Sequence, residues 1–253
     1  MAADPVFGPS PASSSAAFVS AANPTGGSSL APGSIASLYG TNLASATLSA
    51  GSIPLPQNLS GTAMTLAQIG VPLLFVSPGQ INFQIPWVAI TQSTQVPLVI
   101  TQGQGATTIN VTLTPYAPGL FTANSQGTGQ ASALISNTTS LAAPAGAFPG
   151  SRPAKKGEFV SLYCTGLGDV TNRPLAGDPA PSGPLASTTT LPTITLGGSV
   201  PVTVISFSGL APGFAGLYQV DFQIPDTAAS GSAITLVLTI GGIKSNQVTI
   251  AIQ

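Results

Sequence analysis

Gln80 to Ile85 reads QINFQI, and Gln219 to Ile224 reads QVDFQI. In each run apolar and polar residues alternate with a period of two, the pattern of a half-buried strand. Ile81, Phe83 and Ile85 belong to a core face, as do Val220, Phe222 and Ile224. Gln80, Asn82 and Gln84, and in the second run Gln219, Asp221 and Gln223, point the other way. Pro86 and Pro225 follow, and a proline ends a ladder because it has no N–H to give. Similar runs bounded by Gly, Pro, Asn and Ser recur along the chain, and helical periodicity is hard to find. In the first half they predict strands at Ile35–Tyr39, Thr62–Leu66, Leu73–Val76, Gln80–Ile85, Val96–Thr101 and Thr107–Leu113. In the second half they predict Gln130–Ile135, Phe159–Tyr163, Thr193–Leu196, Val202–Phe207, Tyr218–Ile224, Ile234–Ile240 and Gln247–Ile252.

The runs come as a repeat. GSIASLYGTNL (Gly33–Leu43) aligns with GEFVSLYCTGL (Gly157–Leu167), and GQINFQIP (Gly79–Pro86) with YQVDFQIP (Tyr218–Pro225). VPLVITQG (Val96–Gly103) aligns with ITLVLTIG (Ile234–Gly241), and NVTL (Asn110–Leu113) with QVTI (Gln247–Ile250). A fainter match joins AAFVSAAN (Ala16–Asn23) to QASALISN (Gln130–Asn137). Five blocks in the same order predict an all-β fold of two tandem Ig-like antiparallel β-sandwiches. The expected division is an N-terminal arm at 1–14, a first sandwich at 15–116, a link at 117–125 and a second sandwich at 126–253.

Charge changes this picture. Five Lys and Arg and six Asp and Glu make up only 4% of 253 residues, and none lies between Asp4 and Arg152. A net charge of −1 provides no footprint for nucleic acid. No apolar run reaches the ~18 residues of a membrane helix. MAADPVFGPSP has neither the basic start nor the apolar stretch of a signal peptide. There is no histidine, which removes Ser-His-Asp and Cys-His catalysis and His-containing metal sites. Cys164 is the single cysteine and reads as a small buried hydrophobe. Asp169, Asp178, Asp221 and Asp226 form no Asp-x-Asp loop, and a glycosidase pair is absent from the first repeat after Asp4. The expectation is a protein without catalysis, metal or cofactor.

What remains is surface. The amide rows Gln80, Asn82, Gln84 and Gln219, Asp221, Gln223 offer donors and acceptors and could bond a sister domain, another subunit or a glycan. Trp87 stands where the second repeat has Asp226; it fits a domain junction or a sugar ring. Tyr39 and Tyr163 occupy matching places before a turn, and Tyr116 is the other aromatic considered for an open platform. Lys155, Lys156 and Glu158 suit a solvated turn, and Asn58, Asn110 and Asn137 begin glycosylation-type triplets. The low charge leaves strand edges without their usual lysine guards. The arm could then add a strand to a neighbour and build a filament or sheet.

The stretches APGSIASLYGTNL, LFVSPGQINFQIPW, YAPGLFT, LYCTGLGDV and APGFAGLYQVDFQIP resemble the Solibacter-type C-terminal domain family of secreted acidobacterial proteins. The resemblance covers both repeats. It implies an extracellular β-sandwich pair with no assigned catalysis, and it supplies no ligand. Such domains usually end long multidomain chains. The expected function is structural or adhesive at the cell surface, with copies of itself as partners. The alternative is a carbohydrate-binding accessory module.

Overall fold

The computed structural model describes residues 9–253. The first half forms β1 (Ala12–Ser20), β2 (Ser29–Leu30), β3 (Ile35–Thr41), β4 (Leu48–Ser49), β5 (Asn58–Leu59), β6 (Thr62–Leu66), β7 (Ile69–Gly70), β8 (Leu73–Ser77), β9 (Gln80–Gln84), β10 (Thr94–Gln102) and β11 (Gly105–Leu113). The second forms β12 (Gly119–Leu120), β13 (Ala133–Ile135), β14 (Phe159–Thr165), β15 (Thr193–Leu196), β16 (Val200–Pro201), β17 (Ile205–Leu210), β18 (Tyr218–Gln223), β19 (Gly231–Ile240), β20 (Ile243–Lys244) and β21 (Val248–Ile252). No helix occurs among the described residues.

In the first half one sheet runs β1-β3-β9-β8-β4, and the other runs β2-β11-β10-β6-β5 with β7 on β6. This is the two-sheet order of an immunoglobulin sandwich, four strands A-B-E-D against C-F-G. β2 lies parallel to β11, pairing Ser29 with Thr112 and Leu30 with Leu113. The second half repeats the plan as β12-β14-β18-β17 against β16-β15-β19-β20, with β13 on β14 and β21 on β19. A parallel bridge from Ala154 to Ile252 stands in for the β2–β11 pairing. The chain is thus two tandem Ig-like antiparallel sandwiches related by an internal repeat.

Register corrects two of the five aligned blocks. Ser20 pairs with Ala36 on β3, and Ile135 pairs with Val160 at the same place on β14. Ser20 therefore matches Ile135, one residue beyond the sequence alignment. A one-residue slip would turn every side chain of the strand to the wrong face, so the core sets the register. Leu113 and Ile252 make the corresponding parallel contacts, so Asn110–Leu113 matches Thr249–Ile252, two residues beyond the aligned block. A two-residue slip keeps the same face inward, which is why alternation alone does not expose it.

The expected free arm is also corrected. β1 begins inside residues 1–14: Ala12 pairs with Thr41 and Ser13 with Gly40 of the same chain. Ser13 Oγ also donates to the Tyr39 carbonyl at 2.6 Å. Residues 1–8 of the arm lie outside the described residues. Likewise Gly119 and Leu120, inside the expected link, pair with Thr165 and Cys164 of β14.

Each sandwich has its own core. In the first, Phe18, Leu38, Leu66, Ile81, Phe83, Leu98 and Leu113 are fully buried, and the Phe18 and Phe83 rings sit 6.0 Å apart. In the second, Leu162, Cys164, Leu196, Tyr218, Val220, Phe222 and Ile250 are fully buried. Tyr218 occupies the place of Gly79, and its hydroxyl donates to the Gly168 carbonyl across the turn after β14. Burial pushes the Tyr218 hydroxyl well above the usual phenol range, so it stays a donor. Tyr218→Phe keeps the ring but leaves that carbonyl without its donor. Urea unfolding is expected to show a loss of about 1–3 kcal/mol at unchanged m. An unchanged midpoint would show that this hydroxyl adds nothing.

Candidate functional site at the sandwich junction

The repeated phrase divides in space as its alternation requires. Ile81, Phe83 and Ile85, and Val220, Phe222 and Ile224, are wholly inside their cores. On the outward row, Gln80 Nε2 donates to Asn82 Oδ1 at 2.7 Å, and Ser37 Oγ donates to the same oxygen at 2.9 Å. In the second copy Gln219 Nε2 donates to both Asp221 carboxylate oxygens, at 2.8 and 3.0 Å. These four side chains are half-buried and bond to one another.

Of the partners the amide row could bond, Gln84 takes the sister sandwich. It is 1% exposed. Its Nε2 donates to the Gly33 carbonyl at 3.3 Å, and its Oε1 accepts from Gly177 N–H of the second sandwich at 2.6 Å. The twin, Gln223, makes the first of these bonds, from Nε2 to the Gly157 carbonyl at 2.9 Å, and Gly157 is the twin of Gly33. The amide thus clamps the start of β3 or β14 in both repeats, and only in the first does its oxygen reach across to the sister sandwich.

Other bonds join the same seam. Ile35 N–H donates to Thr165 Oγ1 at 2.9 Å, and Leu55 N–H to the Gly177 carbonyl at 2.9 Å. Two glycines allow the close approach. A Cβ on Gly177 would come within 3.1 Å of Pro72, and one on Gly216 within 3.0 Å of Gln84 Cγ. Both also have positive φ, 92° and 69°, which L side chains adopt only with strain.

Trp87 lies in this junction. Its ring leaves no room for a Cβ on Gly33, packs on the second core, and has the Arg173 guanidinium 5.4 Å from its centroid. Its Nε1 is buried without a hydrogen-bond partner among the described residues. Tyr116, just before the link, is pinned between Gly168 and Gly241, with its hydroxyl 2.8 Å from Thr190 Oγ1. Both rings are half-buried, and Trp87 packs on the second core, so its contacts fit the junction role.

Junction positions differ sharply between repeats. Ala31, Pro32 and Ser34 are buried, and their twins Lys155, Lys156 and Glu158 lie on a pole that faces solvent. Asp226, the twin of Trp87, is exposed there too. Arg152 donates to both Glu158 oxygens at 2.9 Å. The Glu158 carboxyl is held down at about 2, from 4.5, first by Arg152 and, against burial, by Lys155 N–H and the nearby positive charges.

No group of three metal-ligating side chains occurs among the described residues. Asp169 pairs with Arg173 at 3.0 Å, and burial pushes the Cys164 thiol far up. Asn58, Asn110 and Asn137 are exposed. No helix among the described residues is long and apolar enough to cross a membrane. The seam partners Gly177, Gly216, Thr165 and Arg173 carry no sequence signal of their own, apart from the shared Thr at 41 and 165.

No family model and no curated protein matches the sequence. Among solved structures, a chimeric titin Z1Z2 functionalised with a decorin peptide is 14% identical, covering 89% of this chain and 91% of that one, with TM-score 0.19. DIP-gamma IG1+IG2 is 12% identical over 89% and 92%, with TM-score 0.21. The endo-fucoidan hydrolase MfFcnA4 is 15% identical over 89% of this chain but 27% of its own, with TM-score 0.18. The fold assignment rests on strand order.

Two outcomes follow for the seam and the charged pole. Gln84→Ala leaves two buried backbone groups unpaired and is expected to cost about 2–4 kcal/mol in urea unfolding, against under about 1 kcal/mol for Gln223→Ala. Equal losses would remove the special role of Gln84. Glu158 is held below its unfolded value, so its stabilisation is present above that value and lost as pH falls. The melting-point gap between the parent and Glu158→Gln is expected to be full near neutrality and to close between about 4.5 and 2. A gap that is independent of pH contradicts the pairing.

Proposed function

We propose that the chain is a non-catalytic structural and adhesion protein of the cell surface, built as one stiff two-sandwich unit. The seam carries this reading. A flexible pair of domains needs only a linker, whereas here the Gln84 amide, Thr165 and Trp87 fix one sandwich on the other. Extracellular location is supported by the resemblance in the repeat motifs and by a polar but nearly uncharged surface.

Self-assembly is part of the proposal, in a form altered by β1. Ala12 and Ser13 hold the edge of their own β3, and the register breaks between Ser13 and Phe18. Strand addition then proceeds by exchange: the short segment leaves its own β3 for that of a neighbour, an open-ended contact that yields filaments.

Light scattering and negative-stain microscopy are expected to show filaments that lengthen with concentration and vanish when residues 1–13 are removed, with thermal melts checking that the shortened chain still folds. A monodisperse intact chain at its highest soluble concentration overturns the assembly. Antibody labelling of unpermeabilised cells tests the location, and the absence of surface label overturns it.

A further inference from the structure

The link and the two sandwiches enclose a groove. Its larger chamber has a volume of about 760 Å3, within the range of small-molecule sites. Its smaller chamber, about 320 Å3, continues toward Trp87, Asp169 and Arg173. Ile90, Thr91, Pro115 and Tyr116 line both chambers and form the neck between them.

The lining has an unusual balance. In the larger chamber Lys244 is the one charged side chain, and its neighbours offer hydroxyls, amides and bare backbone. Ser29, Thr91 and the Gln92 amide make no side-chain hydrogen bond among the described residues, although they sit beside an apolar wall of Ile90, Pro115 and Ile243. Exposed Gly26 and Gly27 add peptide groups to the lining. In the smaller chamber the Asp169–Arg173 pair at 3.0 Å sets an acceptor beside a donor at a half-exposed rim.

We infer that this groove binds a neutral, hydroxyl-rich oligosaccharide. A charged polymer would need more than a single unpaired lysine. An apolar peptide would need deep pockets free of polar groups. A sugar chain needs what is present: many neutral donors and acceptors, an apolar wall for ring C–H faces, and a donor–acceptor pair for adjacent hydroxyls. The groove exists only because the two sandwiches are locked, so it is formed before any ligand arrives and ordering costs little. Recognition is mainly by hydrogen bonds along the cleft, with the half-buried Tyr116 and Trp87 rings as part of its lining. This deepens the adhesion reading by giving it a ligand class, and it does not depend on strand exchange.

The test is isothermal titration of the full chain with cellohexaose, xylohexaose and mannohexaose, with a proline decamer and a polygalacturonate hexamer as contrasting probes. At least one neutral hexasaccharide is expected to bind, with an affinity that changes less than about two-fold between low and high salt. Gln92→Ala and Lys244→Ala alter exposed side chains and are expected to weaken it roughly five-fold each. Thr91→Trp fills the neck and is expected to abolish it at an unchanged melting temperature. Silence from all three neutral sugars, binding confined to the peptide or the uronate, or full affinity in Thr91→Trp each overturns the inference. A parent that binds sugar yet stays monomeric sinks filament formation alone.

Discussion

The Gln84 side chain is the one group whose removal touches every level of this structure. Its donor end holds Gly33 at the start of β3, and its acceptor end holds Gly177 from the other sandwich. A primary amide suits both tasks because it gives and takes hydrogen bonds without a charge to desolvate. A carboxylate at that place would lose the bond to the Gly33 carbonyl and bury an ion. The seam, the fixed link around Tyr116 and the groove beside it all presuppose that the two sandwiches meet at this point.

The same scaffold used twice explains where the charges went. The pole of the first sandwich is an interface, and its positions are Ala31, Pro32, Ser34 and Trp87. The matching pole of the second is solvated, and its positions are Lys155, Lys156, Glu158 and Asp226. Four of only eleven charged residues in the chain lie at that pole. Lys155 N–H and Arg152 both serve the Glu158 carboxylate, so this outer face is ordered as well as polar.

Much of the fold was legible because a sandwich strand announces itself by alternation. β6 and β15 fall where alternation predicts them, and most other boundaries differ by one to three residues. β1 was missed because SSSAA lacks the branched and aromatic residues that mark strands, yet its backbone still has a β3 edge to fill. Val202–Phe207 was anticipated too early: the bulge between Ile205 and Phe207 breaks the alternation, and the strand continues to Leu210. The seam was the least legible part. Gln84 and Gln223 are identical letters in identical phrases, and only the arrival of Gly177, 93 positions away, separates a buried clamp from a surface amide. Trp87 was readable as a junction residue because its twin is an aspartate, a difference that a purely internal packing role would not require.

The parallel pairing of β2 with β11 gives the molecule a direction of strength. A pull that enters before β2 and leaves after β11 drags these strands oppositely along their length. The ladder that pairs Ser29 with Thr112 and Leu30 with Leu113 then takes the load in shear, the Thr114 N–H to Leu30 carbonyl bond included. The second sandwich meets the same pull with two parallel bridges, Gln130 to Thr249 and Ala154 to Ile252, held by bonds from Ala131 to Thr249, from Thr249 to Gly129, from Ala154 to Ala251 and from Gln253 to Ala154. Tension along the chain therefore meets, in each sandwich, a last strand that is held in shear by a parallel neighbour close to where the chain leaves.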